Sequence, residues 1–229
     1  SKELEIFNYL DINQILKTVP GVYLRSEEGY GLFPNISLRG VDPNRSSKVT
    51  ILEDGVPSSP SPFSDPSAYY SPTSGRMSGF EVLKGSSQIK LGPNTTGGVI
   101  NYLSTPIPQE VTSYFRGSYG SNNERTGHAY AGGQVELDGS KLGYLFELFD
   151  THTDGWKTIN ALADRVSSNA PVSKTDIMLK LSYELSESSY LEFKFGRTDL
   201  DGDVSYIGLT KSDFAVNPYQ RYAGTLYDN

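Results

Sequence analysis

The run Gly92-Pro-Asn-Thr-Thr-Gly97 is the first place in this chain where residue types and spacing suggest chemistry, because two glycines so placed match a phosphate-cradling loop. A nucleotide loop of that kind continues with lysine and then serine or threonine, since the lysine reaches the β/γ-phosphates and the hydroxyl holds magnesium. Here Gly97 is followed by Gly98 and Val99, and the segment runs on into a strand-like stretch. The glycines are therefore expected to serve tight turns and close backbone packing. A second candidate, "DLDGD" (Asp199 to Asp203), hints at a calcium loop. An EF-hand needs glycine at its sixth position and a bidentate acid at its twelfth, and neither falls in register, so a solvated acidic turn is expected. His128 and His152 stand apart from any serine or cysteine nucleophile motif, and no catalytic site is inferred.

Composition narrows the classes. The formal net charge of -7 argues against a nucleic-acid partner, which needs a basic face. With no cysteine and two histidines, neither a disulfide framework nor a structural zinc site is expected. The 16 tyrosines, 23 glycines and 13 prolines favour strands and turns over a helical bundle. The opening "SKELEIFNYL" lacks the basic and apolar regions of a signal peptide. No apolar run approaches the ~20 residues of a membrane helix. A transmembrane β-barrel would escape both tests, because its strands alternate weakly over segments of about ten residues.

Residues 1–108 read as a mixed α+β unit. In Leu10 to Val22 the apolar residues Ile12, Ile15, Leu16 and Val19 have helical spacing, and Pro20-Gly21 is expected to stop the helix. The strand-like pieces "NISLRG", "KVTILEDGVP", "GFEVLKG" and "GGVINYLS" follow. Between them lie two loops rich in turn formers, Ser26 to Pro34 and Pro57 to Pro72. Loops of this length in a small unit are usually functional or disordered. Tyr30, Phe33, Phe63, Tyr69 and Tyr70 lie on or beside them, and an exposed subset would form a recognition surface.

Residues 109–229 change texture to long segments of period two. "KTDIMLKLSYEL" sets Ile177, Leu179, Leu181, Tyr183 and Leu185 against Asp176, Met178, Lys180, Ser182 and Glu184. "SYLEFKFGRTD" places Leu191, Phe193 and Phe195 opposite Tyr190, Glu192 and Lys194. "KLGYLFELFD" and "RTGHAYAGGQVELD" alternate similarly, and Val111 to Tyr119 less cleanly. Such segments fit a soluble antiparallel sandwich, or membrane-barrel strands with apolar residues to lipid. Five strands cannot close a barrel, which needs about eight, so on the second reading the chain is a fragment.

Five stretches, in order and at familiar spacing, resemble the plug and first barrel strands of a TonB-dependent outer-membrane receptor. They are "ILKTVPGV", "ISLRG", "VTILEDGVP", "FEVLKG" and "KLGPNTTGGVINYLS". Ser205 to Tyr222, "SYIGLTKSDFAVNPYQRY", is similar to a segment of the ferric dicitrate receptor type. The resemblance implies a plug (1–108) in the lumen of a barrel of about 22 strands, with 109–229 its first strands. Strands beyond about residue 199 and the TonB box would lie outside this chain. It also implies a bacterial outer-membrane transporter that binds a ferric chelate or siderophore, draws energy from TonB with ExbB and ExbD, touches outer-membrane lipid, and needs neither cofactor nor catalytic residue. A signalling or adhesin-like relative without transport, or a soluble β-rich binding module, is the alternative. The implied ligand contacts are Arg25, Ser26, Glu27, Glu28, Tyr30 and Phe33 in the first loop and Phe63, Ser64 and Tyr69 in the second. Arg39 and Lys84 would pair with barrel glutamates, Lys84 standing where arginine is commoner. Glu27 and Glu28 are expected to repel an anionic complex such as ferric citrate unless arginines of the barrel dominate the pocket, since Arg25 alone does not offset two carboxylates.

Overall fold

The structure is a computed structural model that describes residues 9–59, 70–85, 91, 96–137, 139–160, 169–186, 188–203 and 208–221. The chain divides into two compact units, Ser1–Pro106 and Ile107–Asn229.

The first unit is a mixed sheet with a short helix against it. Helix α1 (Ile12–Leu16) starts where Asp11 accepts the Asn13 N–H at 2.7 Å, the usual role of an N-cap carboxylate. It ends at Lys17, ahead of Pro20-Gly21, so the helix is shorter than the apolar spacing predicts. Burial explains the spacing nonetheless: Ile12 and Leu16 enter the core, Ile15 packs against it from the helix, and Val19 does so from beyond the helix end. Strands β1 (Val22–Leu24) and β2 (Ile36–Leu38) form an antiparallel pair, of which β1 has no clear signal in the sequence. Strands β3 (Val49–Glu53), β4 (Val56–Ser59), β5 (Met77–Leu83) and β6 (Gly98–Ser104) make a sheet of order β4-β3-β6-β5. The central pair, β3 with β6, is parallel, and β5 returns antiparallel on β6.

Ile36, Leu38, Val49, Ile51, Ile100 and Tyr102 fill this core. The Tyr102 hydroxyl, fully buried, meets Ser71 Oγ at 2.8 Å, and burial pushes its ionisation well above the ordinary tyrosine range. Arg76 is 3 % exposed and donates from Nη2 to both carboxylate oxygens of Glu53 at 2.9 and 3.1 Å. Removing one partner of so buried a pair costs about 3–5 kcal/mol. Asp54 accepts from the Ser104 amide at 2.9 Å and from its hydroxyl, which ties the β3–β4 hairpin to the end of β6.

Gly97 of the run that opened the sequence reading, and Gly98 after it, are explained by packing. Residues 92–95 lie outside the described residues, but strand β6, not a helix, begins at Gly98. A Cβ on Gly98 would sit 2.5 Å from Leu38 Cδ1 and 2.7 Å from the Leu83 carbonyl oxygen. One on Gly97 would meet Val41 Cγ2 at 2.8 Å and the Lys48 carbonyl oxygen at 2.9 Å.

The second unit is one antiparallel sheet in chain order, β7 (Thr112–Tyr119), β8 (Arg125–Leu137), β9 (Ser140–Thr153), β10 (Val172–Ser186) and β11 (Ser189–Gly202). A short helix α2 (Lys211–Val216) follows, capped by Thr210. Tight connections join β8 to β9 and β10 to β11, whereas β9 and β10 are joined through residues 154–171. A water-soluble sheet buries its apolar side, whereas this one buries a mixed face and exposes the more apolar one. Leu145, Glu147 and Phe149 on β9 and Asp176, Met178 and Lys180 on β10 are buried. The exposed face carries Phe115, Val135, Phe146, Leu148, Leu181, Leu191, Phe193 and Phe195. Register joins these into rows: Phe146 lies opposite Leu179 and Leu179 opposite Phe195, while Tyr144, Leu181 and Phe193 form the next. Among the described residues no helix is long and apolar enough to cross a membrane, which leaves the strands as the question.

Gly98→Ala should destabilise the first unit by about 1–3 kcal/mol, since the added methyl is opposed partly by fixed backbone. A lowered denaturant midpoint for the fluorescence or hydrogen-exchange signal of that unit checks it; an unchanged midpoint would mean that β6 and β2 are less closely packed than described.

Candidate functional site

The loop between β1 and β2 holds most of the expected ligand contacts, and a turn further along the chain fixes its shape. Ser46, fully buried, accepts the Ile36 N–H at 3.0 Å and donates to the Pro34 carbonyl at 2.8 Å. This pins the turn Asn44–Ser46 against the start of β2. Arg45 and Ser46 take left-handed φ values of 48° and 52°, which cost non-glycine residues roughly 1 kcal/mol or more each. The strained turn directs Arg45 back over the loop.

There Arg45 Nη2 donates to Glu27 Oε1 at 2.6 Å, and its guanidinium lies 5.0 Å from the Phe33 ring centroid. Asn35 is the hub: its Oδ1 accepts from Arg25 Nη2 at 3.1 Å and from the Arg45 amide at 2.9 Å, and its Nδ2 donates to Glu27 Oε2 at 2.9 Å. Arg25 Nη2 also reaches Asn44 Oδ1 at 3.3 Å. Glu28 turns the other way. It is 4 % exposed, and its Oε1 accepts the amides of Leu32 and Phe33. Gly31, at φ 71°, abuts Asp11, whose Oδ1 would be 2.1 Å from any Cβ placed there. Burial first, and then the Glu28 charge, raise the Asp11 carboxyl above the usual carboxylate range, although its bonds to Asn13 oppose the shift.

This changes the premise of the charge argument made from sequence. Glu27 and Glu28 do not face a ligand as two free carboxylates; one is paired with Arg45 and the other is folded under the loop. Of the remaining expected contacts, Arg25 and Ser26 are exposed and Tyr30 and Phe33 are half-buried. Phe63, Ser64 and Tyr69 lie outside the described residues, while neighbouring Tyr70 is exposed. Arg39 is exposed with φ 59°, and the Lys84 ammonium donates to the Pro20 carbonyl. Asn35, Asn44, Arg45 and Ser46 escaped the sequence reading because their side chains bind partners eight to nineteen residues away in this site.

The histidines also acquire partners. His128 Nε2 lies 2.8 Å from Glu147 Oε1, with Tyr114, Tyr130 and Phe149 around the ring. His152, expected to stand apart from a nucleophile, has Nδ1 2.8 Å from Ser173 Oγ and Nε2 3.1 Å from Asp154 Oδ1. That chain of bonds has the residue types of a hydrolytic triad. Ser173, however, sits on the inner strand β10 directly opposite His152 on one side and Asp201 on the other. Strand pairing on both sides commits the local amides, leaving none arranged for an oxyanion. In "DLDGD", Asp199 pairs with Arg197 and Asp203 with Arg221. Among the described residues no group of three or more histidine, aspartate or glutamate side chains is placed to hold a metal.

Residues 1–99 match the TonB-dependent receptor plug domain family. The vitamin B12 transporter BtuB of Vibrio vulnificus is 28 % identical over 205 residues, covering 89 % of this chain and 32 % of that protein. The ferric yersiniabactin uptake receptor FyuA from Yersinia pestis superposes with a TM-score of 0.66 at 20 % identity, over 86 % of this chain and 30 % of that one. The siderophore receptor PirA from Acinetobacter baumannii does so with a TM-score of 0.61 at 18 % identity, over 89 % and 31 %. At such identities the structural likeness is one of fold. This chain spans about a third of the length of these relatives. The fold is a plug domain followed by antiparallel strands like those of TonB-dependent barrel receptors, and the relatives are transporters and receptors rather than enzymes.

Glu28→Ala should leave the Leu32 and Phe33 amides without their acceptor and raise their hydrogen-exchange rates by about tenfold or more, a loss on the order of 1–3 kcal/mol. Glu28→Gln, which keeps an acceptor oxygen, should change them less. Equal protection in the alanine variant would contradict the inward-facing role.

Proposed function

We propose that residues 1–99, a TonB-dependent receptor plug domain, and the strands after them form the plug and first wall strands of an outer-membrane receptor that imports a ferric chelate. In this reading the plug runs over residues 1–108 and the wall begins at 109. The observation that carries it is the exposed apolar face of the five-stranded sheet. In water that face would be a large unfavourable surface; against hydrocarbon it is the favourable one. Its dimensions support the reading. From Ile177 to Leu185, β10 advances roughly 26 Å at about 3.3 Å per residue. A tilt of about 40° reduces this to roughly 20 Å, near the ~25 Å apolar band of outer-membrane barrels. Arg197 and Asp199 end the apolar row on β11.

Within the sheet, β7 and β11 each have one neighbour, so both present a free edge to further strands. Tight turns at one end and the longer 154–171 connection at the other match barrels whose short turns are periplasmic and longer loops extracellular. The bacterial outer membrane is the location this implies. Transport needs no covalent step: a chelate that brings its own iron ligands binds, the populations of plug and loop states shift, and TonB, with ExbB and ExbD, supplies the energy from the periplasmic side. Contacts to the chelate fall to the stretches 26–34 and 57–70, the second of which starts within β4, and Arg39 and Lys84 pair with glutamates of the wall. Ferric citrate and other siderophores are the ligands considered. The relatives' named ligands include vitamin B12 and ferric yersiniabactin, so the chelate is a matter for direct test.

Cells making the complete receptor should accumulate radioactive iron from at least one ferric chelate, and the accumulation should fall to background when TonB is absent. Chelate binding with no uptake would favour a signalling or adhesin-like protein on the same fold. Neither binding nor uptake across citrate, hydroxamate and catecholate chelates would overturn the iron-receptor reading.

A further inference from the structure

Resting on that receptor reading, we propose that Arg25 is a specificity-determining residue and that the first plug loop selects an anionic ferric chelate. The inference comes from following every charge of the loop to its partner. Glu28 is buried and spends its carboxylate on the loop's own amides. Glu27 and Arg45 neutralise each other, at 21 % and 12 % side-chain exposure, with Asn35 donating to the second carboxylate oxygen. Arg25 is exposed, and its two side-chain hydrogen bonds, both from Nη2, end on the neutral amide oxygens of Asn35 and Asn44.

Among the described residues the Arg25 guanidinium therefore meets no carboxylate. It is a full positive charge, oriented by two amides, with the donors on Nη1 and Nε uncommitted. A guanidinium held this way loses less conformational freedom when it binds than a free one. Two acids lie one residue further along the same hydrogen-bond chain: Glu27, through Asn35, which is paired with Arg45, and Asp42, which is exposed and whose Oδ1 accepts the Asn44 N–H at 3.0 Å. The second is the acid left to act on a ligand. Its field opposes an incoming anion, whereas its hydrogen bond positions the Asn44 that positions Arg25. The loop thus presents a cation where the residue order "RSEE" suggests an acidic patch. Charge-assisted hydrogen bonds to carboxylate or catecholate oxygens are what such a group recognises.

The test titrates the complete receptor in detergent with three probes: ferric citrate and a ferric tris-catecholate, both anionic, and an uncharged ferric trihydroxamate. We expect one or both anionic complexes to bind more tightly than the uncharged one. Arg25→Glu should weaken that binding by about tenfold or more and Arg25→Lys by less. Asp42→Asn, which keeps the acceptor oxygen, should strengthen it; a merely structural role for either residue would not give opposite signs. Raising sodium chloride from about 0.05 to 0.5 M should weaken binding in the native protein and less so in Arg25→Glu. Anionic affinity unchanged in Arg25→Glu, or tight binding of the uncharged complex alone with uptake still dependent on TonB, overturns the inference and leaves the receptor reading standing. Binding of none of the three overturns both.

Discussion

The exposed side of the five-stranded sheet is its apolar side, and the rest of the account depends on that one constraint. Phe146, Leu148, Leu181, Phe193 and Phe195 stand outward, while Glu147, Asp176 and Lys180 are buried on the opposite side. Side chains on a strand alternate with period two, so neither set can be exchanged for the other without slipping the register by one residue. That slip is opposed by continuous pairing from Val172↔Thr153 to Tyr183↔Leu142 on one side of β10 and by its long pairing with β11 on the other. On the receptor reading proposed above, the sheet lies against an apolar surrounding, in which every backbone N–H and C=O has to be satisfied internally. The ladders do this for the three inner strands, and the two outer strands call for neighbours.

The plug unit is built on the opposite logic. Its apolar residues close on one another around Ile51, Ile100 and Tyr102, and several of its charges are drawn into fixed pairs, while Arg25, Arg39 and Asp42 stay exposed. Arg76 with Glu53, Arg45 with Glu27, and Asp54 with Ser104 each join segments distant in the chain. These contacts hold irregular backbone, including the left-handed Arg45 and Ser46, that strand pairing alone would not hold. Polar anchoring of this kind gives the loop a defined shape at modest net stability, since each hydrogen bond contributes only about 1 kcal/mol. A defined shape suits the receptor role proposed above, because a preordered site pays less entropy when it binds.

Much of the fold is legible in the sequence where one periodicity dominates. β10 and β11 announce themselves through "KTDIMLKLSYEL" and "SYLEFKFGRTD", and the faces read from alternation are the faces found. The parallel β3–β6 pairing and strand β1 are not legible, because three to five residues of strand carry too little pattern and the partner lies far along the chain. Helix α1 is shorter than its spacing suggests, because Val19 is buried by packing beyond the last helical turn. Charge in the candidate site is the clearest failure. Sequence counts Glu27 and Glu28 as equal acids, whereas burial and the returning turn at Arg45 make one a backbone acceptor and the other half of an ion pair. Residue type fixes what a group can do; only three-dimensional neighbours decide whether it is still free to do it.

The central claim, that the apolar face meets lipid, is tested most directly by spin labels placed one at a time along β9 from Gly143 to Phe149 in the complete protein reconstituted into bilayers. Collision with oxygen, which concentrates in hydrocarbon, is compared with collision with a water-soluble nickel chelate. The account predicts period two, with labels at Tyr144, Phe146 and Leu148 relaxed by oxygen and sheltered from nickel, and labels at Leu145, Glu147 and Phe149 showing little oxygen contact. Nickel access at Phe146 and Leu148, or no alternation along the strand, would contradict it.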